Sequence, residues 1–273
     1  MRRTLIPGLA VAALSTVASA QQSEVPLWLN LTTAQGLMGA SFSYRFTHRF
    51  QEQARNNSKE AFGLDGYSFS GLGMDIAVPS TPGTNFQIYR TPDNKTITLA
   101  LHQVLVSQPD FHAAIRIERY DETIRDLTFT PNSREGIVGT AVQLPLSWSG
   151  GGITVLAVPT YLSSTGTQRK GVTTAGFGLR WDMAERHSLM GEYYPRPSKV
   201  KDLRVFVDST TTRDVENGWA LGYVFRTKGH RFTLLATNVR GTTANQVLGG
   251  DYAGVGPNRS GEWALGFNLV RIF

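Results

Sequence analysis

The stretch Phe42-Ser43-Tyr44-Arg45-Phe46-Thr47-His48-Arg49-Phe50 alternates with period two. Phe42, Tyr44, Phe46 and Phe50 share one side, and Ser43, Arg45, Thr47 and Arg49 share the other. Because successive side chains of an extended chain point to opposite faces, this spacing predicts a strand with one aromatic and one polar face.

The same pattern recurs along the chain. Trp263, Leu265, Phe267, Leu269 and Phe273 alternate with Ala264, Gly266, Asn268, Val270 and Ile272. Trp219, Leu221, Tyr223 and Phe225 alternate with Ala220, Gly222, Val224 and Arg226, while Phe177, Leu179 and Trp181 alternate with Gly176, Gly178 and Arg180. A soluble sandwich would turn Val, Ile and Leu inward and charged residues outward. Here the apolar face is aromatic near strand ends and the opposite face is small, with occasional arginines. That combination suits a barrel with lipid outside and an enclosed Gly, Ser, Thr and Arg interior.

The pattern predicts twelve strands near 38–50, 69–78, 85–90, 95–106, 111–119, 136–148, 153–162, 171–182, 187–195, 217–227, 230–239 and 262–273, with 203–207 as a hairpin inside a loop. Connections 79–84, 107–110, 149–152, 183–186 and 228–229 are short, and those between them are mostly long, with 91–94 the exception. Short turns on one rim and long loops on the other are the habit of outer-membrane barrels. The expected fold is therefore an all-β, closed, antiparallel up-and-down transmembrane barrel. The charge-free run 136–168 does not read as a membrane helix, because Pro145, Pro159 and Gly150-Gly151-Gly152 would break one.

The first twenty residues read as a signal peptide: Arg2 and Arg3, an apolar core from Leu5 to Leu14, and Ala18-Ser19-Ala20. Domain expectations are thus a leader at 1–20, an N-terminal periplasmic segment or plug at 21–37, and the barrel at 38–273. Without the leader arginines the formal charge falls from +6 to +4, and no dense basic run points to nucleic acid. There is no cysteine, so disulfides, thiolate sites and a lipid-acceptor cysteine are excluded.

The tail ending Trp263, Leu265, Phe267, Leu269 and Phe273 resembles the C-terminal signature read by the bacterial barrel-assembly machinery, with Arg271 in place of a hydrophobic residue and Asn268 where glycine is common. More broadly, Phe46-Thr47-His48-Arg49-Phe50, Asp93-Asn94-Lys95-Thr96-Ile97, Glu192-Tyr193-Tyr194 and Gly229-His230-Arg231-Phe232 resemble an uncharacterised family of β-barrel domains. Thr237-Asn238, Gly261-Glu262-Trp263 and Gly266-Phe267-Asn268 extend the likeness in order along the chain. The resemblance implies a barrel in the Gram-negative envelope, assembly-machinery and lipid partners, and no activity.

The sequence carries no motif of catalytic or metal chemistry. None of His48, His102, His112, His187 and His230 has Ser two residues later, the same-strand pairing that barrel lipases resemble one another in, and no G-x-S-x-G elbow occurs. There is no H-E-x-x-H, and Asp110 with His112, or Glu118 with Asp121 and Glu122, read as turn and rim polarity. Gly71-Leu72-Gly73 precedes no helix that could present amides to phosphate. No catalytic residue, cofactor or metal is expected.

With the aromatic faces outward, the expected lumen set is Arg45, Arg49, Asp75, Arg116, Glu118, Arg180, Glu192, Arg226 and Arg231. These ions either pair across a packed interior or line a narrow, anion-favouring path for a small solute. The expected function is a non-catalytic outer-membrane barrel, structural or a passive narrow pore. The alternatives are a barrel-embedded lipid-modifying enzyme and a soluble exported β-sandwich binding protein. The sequence names no protein partner.

Overall fold

The computed structural model describes residues 24, 26–50, 54, 62, 64–65, 68–91, 96–125, 134–164, 171–196, 204–206, 212–214, 216–239, 241–249 and 263–273. The expected leader and the tips of several loops lie outside these residues.

The strands are β1 (Phe42–Phe50), β2 (Ser68–Ala77), β3 (Thr84–Thr91), β4 (Thr96–Ser107), β5 (Phe111–Arg125), β6 (Arg134–Gln143), β7 (Leu146–Gly150) and β8 (Ile153–Leu162). They continue as β9 (Val172–Ala184), β10 (His187–Tyr194), β11 (Arg204–Phe206), β12 (Thr212–Asp214), β13 (Gly218–Arg226), β14 (His230–Thr237) and β15 (Ala264–Ile272). One short helix, α1 (Ala244–Leu248), precedes β15. Every pairing is antiparallel, and β1 joins both β2 and β15, so the sheet closes. Closure matters because hydrocarbon offers no partner to an unpaired sheet edge.

β6 and β7 are two lengths of one staggered strand. Arg116 faces Gln143 and Ala113 faces Leu146 on one side; Thr160 faces Gln143 and Ala157 faces Leu146 on the other, so the register does not slip. The interruption is Pro145, which has no N–H to give the ladder. Around it the Leu144 amide still donates to the Pro159 carbonyl at 2.9 Å, and the Ala114 amide donates to the Pro145 carbonyl at 3.0 Å. The barrel therefore has twelve staves, and β11 with β12 forms a separate hairpin.

The strand ends bounding 78–83, 108–110, 151–152, 185–186 and 227–229 share one rim, and those bounding 51–67, 92–95, 126–133, 163–171, 195–217 and 238–263 share the other. The two-residue turn Gly151-Gly152 has φ of +58° and +80°, a geometry that glycine reaches without strain.

Burial fixes the two faces. Leu72, Ile88, Leu101, Ile117, Leu179, Leu189, Leu221 and Leu234 form an exposed apolar belt around the outside. On the short-turn side it is edged by Phe42, Tyr44, Phe86, Phe111, Trp148, Trp181, Tyr223, Phe232 and Phe273, and on the other by Tyr161 and Tyr193. An apolar band between aromatic girdles matches the layering of a bilayer. Among the described residues no helix is long and apolar enough to cross a membrane.

Candidate functional site

The site is the lumen. Seven of the nine residues expected there are almost wholly buried: Arg45, Arg49, Asp75, Arg116, Glu118, Glu192 and Arg231. Arg180 and Arg226 share the inward parity but sit nearer the short-turn rim, where both meet Asp182: Arg180 Nε at 3.2 Å and Arg226 Nη2 at 3.3 Å. The tail residues Trp263, Leu265, Phe267 and Leu269 take the outward parity of β15, and Phe273 stacks on Phe42 with ring centres 4.7 Å apart.

The inward side chains do not face one another across an open channel. Residues 26–37 lie between them, folded on themselves by a bond from the Trp28 amide to the Leu31 carbonyl at 2.9 Å. The Glu192 carboxylate accepts from the amides of Leu29 and Asn30, both at 2.9 Å, and of Leu31 at 3.2 Å. Tyr194 donates its hydroxyl to the same carboxylate. Three successive amides converging on one anion make a strong clamp, since bonds to a charged acceptor are about twice as strong as neutral ones.

Other walls add to that hold. Arg49 Nη2 donates to Asn30 Oδ1 at 2.8 Å, Asn268 Nδ2 donates to the Leu29 carbonyl at 2.9 Å, and Arg231 Nη2 reaches the Leu27 carbonyl at 2.5 Å. Asn85 both receives the Leu37 amide at 2.8 Å and donates to the Leu37 carbonyl at 2.9 Å. Arg180 pairs with Glu24 at 2.6 Å. The small lumen face read from the sequence has the same cause. A Cβ on Gly176 would stand 2.4 Å from Leu31 Cδ2, one on Gly178 2.8 Å from Trp28 Cζ3, and one on Gly222 2.5 Å from Leu29 Cδ2. Glycine is the side chain that leaves room for this segment.

The interior is divided lengthwise. Trp28, Leu29 and Leu31 join Leu156, Val158, Leu162, Met190, Ala220 and Val224 in an apolar core, with Val239, Val247 and Leu248 from the segment before β15. That segment enters the barrel through α1, which is capped by Thr243 and Gln246 in a reciprocal box. The opposite wall, from β1 to β5, is polar: Ser43, Thr47, Asn85, Gln87, Thr98 and Arg116 are all buried. Along it runs a chain of contacts from Ser43 to Asp75 (3.2 Å), from Gln87 to Asp75, from Arg116 to Gln87, and from Arg116 to Glu118 (3.0 Å). Between this wall, Leu27, Asn30 and Thr32 on one side and Thr242, Thr243 and Ala244 on the other remains a cavity with about 30 Å³ open to the centres of water molecules. That is room for a small cluster of waters or one small ion.

One further pair is made only by the pairing of two strands. His48 and Ser70 lie directly opposite on β1 and β2, outside the barrel near the long-loop rim, with Nδ1 and Oγ 3.0 Å apart. A search along a single strand cannot find a pair made across two; registering β1 against β2 would have. The ring of His48 stacks on Phe267 at 5.0 Å and meets Phe50 edge-on at 4.6 Å, which places it within the aromatic girdle. Among the described residues, no group of three or more His, Asp or Glu is arranged to hold a metal ion.

Residues 152–273, somewhat less than half of the chain, match the family described as "Membrane bound beta barrel domain (DUF5777)". No curated protein matches the chain in sequence. Among solved structures it is similar to the outer membrane protein Omp33 of Acinetobacter baumannii, at 8% identity and a TM-score of 0.43 over 86% of this chain and 99% of that one. It is similar also to outer membrane phospholipase A of Escherichia coli, at 8% identity and a TM-score of 0.41 over 86% and 92%. LpxR of Salmonella typhimurium gives 10% identity and 0.40 over 86% and 99%. Scores of this size carry no argument about activity. The closed ladder and the apolar belt between two aromatic edges agree with the family's description: the protein is a membrane-spanning β-barrel.

Proposed function

We propose that the protein is a non-catalytic barrel whose lumen is shut by its own chain, and that small solutes pass only when this inner segment yields. The observation that carries the reading is the clamp on residues 26–37 by Glu192, Arg49, Asn85, Arg231 and Asn268. Most of the inward ions that the sequence offered as a possible path are engaged with one another or with this segment. Any path that opens would follow the polar wall of β1 to β5, since the opposite side is a packed apolar core with no partner for a solute or its water. The test is planar-bilayer recording. The intact protein is expected to stay silent, and protein lacking residues 24–37 is expected to conduct. Steady conductance by the intact barrel would overturn the reading.

His48 and Ser70 favour a second reading, a lipid-facing acyl hydrolase with His48 as base and Ser70 as nucleophile. Turnover of phospholipid micelles by purified protein, abolished by Ser70→Ala, would support it. Equal rates in both proteins, at the level of the blank, would dismiss it.

A further inference from the structure

The cavity on the polar wall has an uneven balance of charge. Arg45 and Arg116 both line it, and each is only 4% exposed. Arg116 is neutralised by Glu118 at 3.0 Å. Arg45 is not: among the described residues its guanidinium has no carboxylate within ion-pair distance, and its neighbour is the face of the Tyr89 ring, 4.8 Å away. The ring is held there by Gly71 and Gly73, where a Cβ would collide with it, and by its hydroxyl, which meets Thr47 Oγ1 at 2.6 Å and Thr242 Oγ1 at 2.9 Å. A buried cation without a counter-charge is costly, and the cavity beside it is where that charge can be answered.

Hydrogen bonding points the same way. Around the cavity Arg45 Nε, Arg116 Nη1 and Thr98 Oγ1 are buried without a partner among the described residues. Two of these are obligate donors and the third donates freely. Glu118 Oε1 is the single acceptor left over, while its other oxygen is engaged by Arg116. Water would satisfy these donors but would leave Arg45 without an anion in contact, since the nearby Asp75 is engaged by Ser43 and Gln87.

We infer that this cavity binds one small inorganic anion, held by Arg45 and Arg116 with Thr98, and with a water between it and Glu118. The cavity is small, and its donors converge from Arg45, Arg116 and Thr98, which suits a compact inorganic anion. The inference rests on the shut-lumen reading, because Leu27, Asn30, Thr32 and Thr242 to Ala244 wall the cavity.

The experiment uses the whole folded protein in detergent. Crystals grown with bromide are examined for anomalous scattering. Unfolding is followed while sodium bromide replaces sodium gluconate at constant ionic strength. The expected results are a bromide peak between Arg45 and Arg116 and a saturable rise in Tm. Arg45→Gln should weaken half-saturation at least about tenfold, as expected for losing one charged hydrogen-bond donor. Arg119→Gln, on the outer face, should leave it unchanged. No bromide peak in the cavity, or a response unaltered in Arg45→Gln, overturns the inference; if that variant does not fold, the peak in the unmodified protein decides. A silent barrel without bromide refutes the anion site alone, whereas steady conductance refutes the shut lumen beneath it.

Discussion

Glu192 offers the sharpest probe of the inner clamp. Glu192→Gln keeps the shape of the side chain but removes its charge and turns one acceptor into a donor facing the amides of Leu29, Asn30 and Leu31. A hydrogen bond to a charged group is worth about 1 kcal/mol more than one between neutral groups, so three such bonds lose about 3 kcal/mol. Relief from burying the carboxylate offsets much of this, but an amide left facing the new NH2 group costs about 1–3 kcal/mol, so the net loss is about 2 kcal/mol. If the loss falls on the shut state alone, the open fraction rises about 30-fold. Single-channel recording at matched protein density would show it as brief openings that are rare in the unmodified protein. Heat-modifiability on gels reports whether the barrel itself survives. An intact Glu192→Gln barrel as silent as its parent would refute the reasoning, since the segment would then be held by packing alone.

Leu221 is 60% exposed midway along β13, so Leu221→Arg should cost about 2–4 kcal/mol of barrel stability in bilayers, read from urea titrations of folding into vesicles. Gly222→Val, its inward neighbour, should cost about 1–3 kcal/mol by pressing on Leu29, and Leu29→Ala should recover part of that in the double variant. Leu29→Ala alone should cost about 2–5 kcal/mol, because Leu29 is wholly buried in the inner core. Thermal unfolding of the three proteins gives the coupling, and strict additivity would mean that the two sites do not touch.

The architecture was legible because period two is a local signal and lipid makes it extreme. The aromatic outer face of β1, the rims and the twelve staves all follow from spacing and turn length. So does the hairpin of β11 and β12, expected at 203–207 and found at 204–206 paired with 212–214. Pro145 shows the limit of local reading: it interrupts the ladder but not the register, and only the partner strands reveal this. Inward parity also yielded Arg45, Arg49 and Glu192, but not what they hold. Glu192 lies more than 160 residues from the amides it binds, and no periodicity encodes such a contact. The lengthwise division of the interior was likewise hidden, because Val158, Met190 and Val224 look unremarkable on a face that the other strands make polar. The glycines at 176, 178 and 222 were visible as smallness, and their meaning needed Trp28, Leu29 and Leu31 in place.

The joint between β1 and β15 is where the cylinder is sewn from the two ends of its own wall. Arg49 from the first stave and Asn268 from the last are bonded to each other at 2.8 Å, and both grip the turn at Leu29 and Asn30. The thread that precedes the first stave is therefore tied into the final stitch. Loosening the thread therefore removes contacts that brace the seam, so a barrel whose lumen opens should also be weaker along the line where it closes.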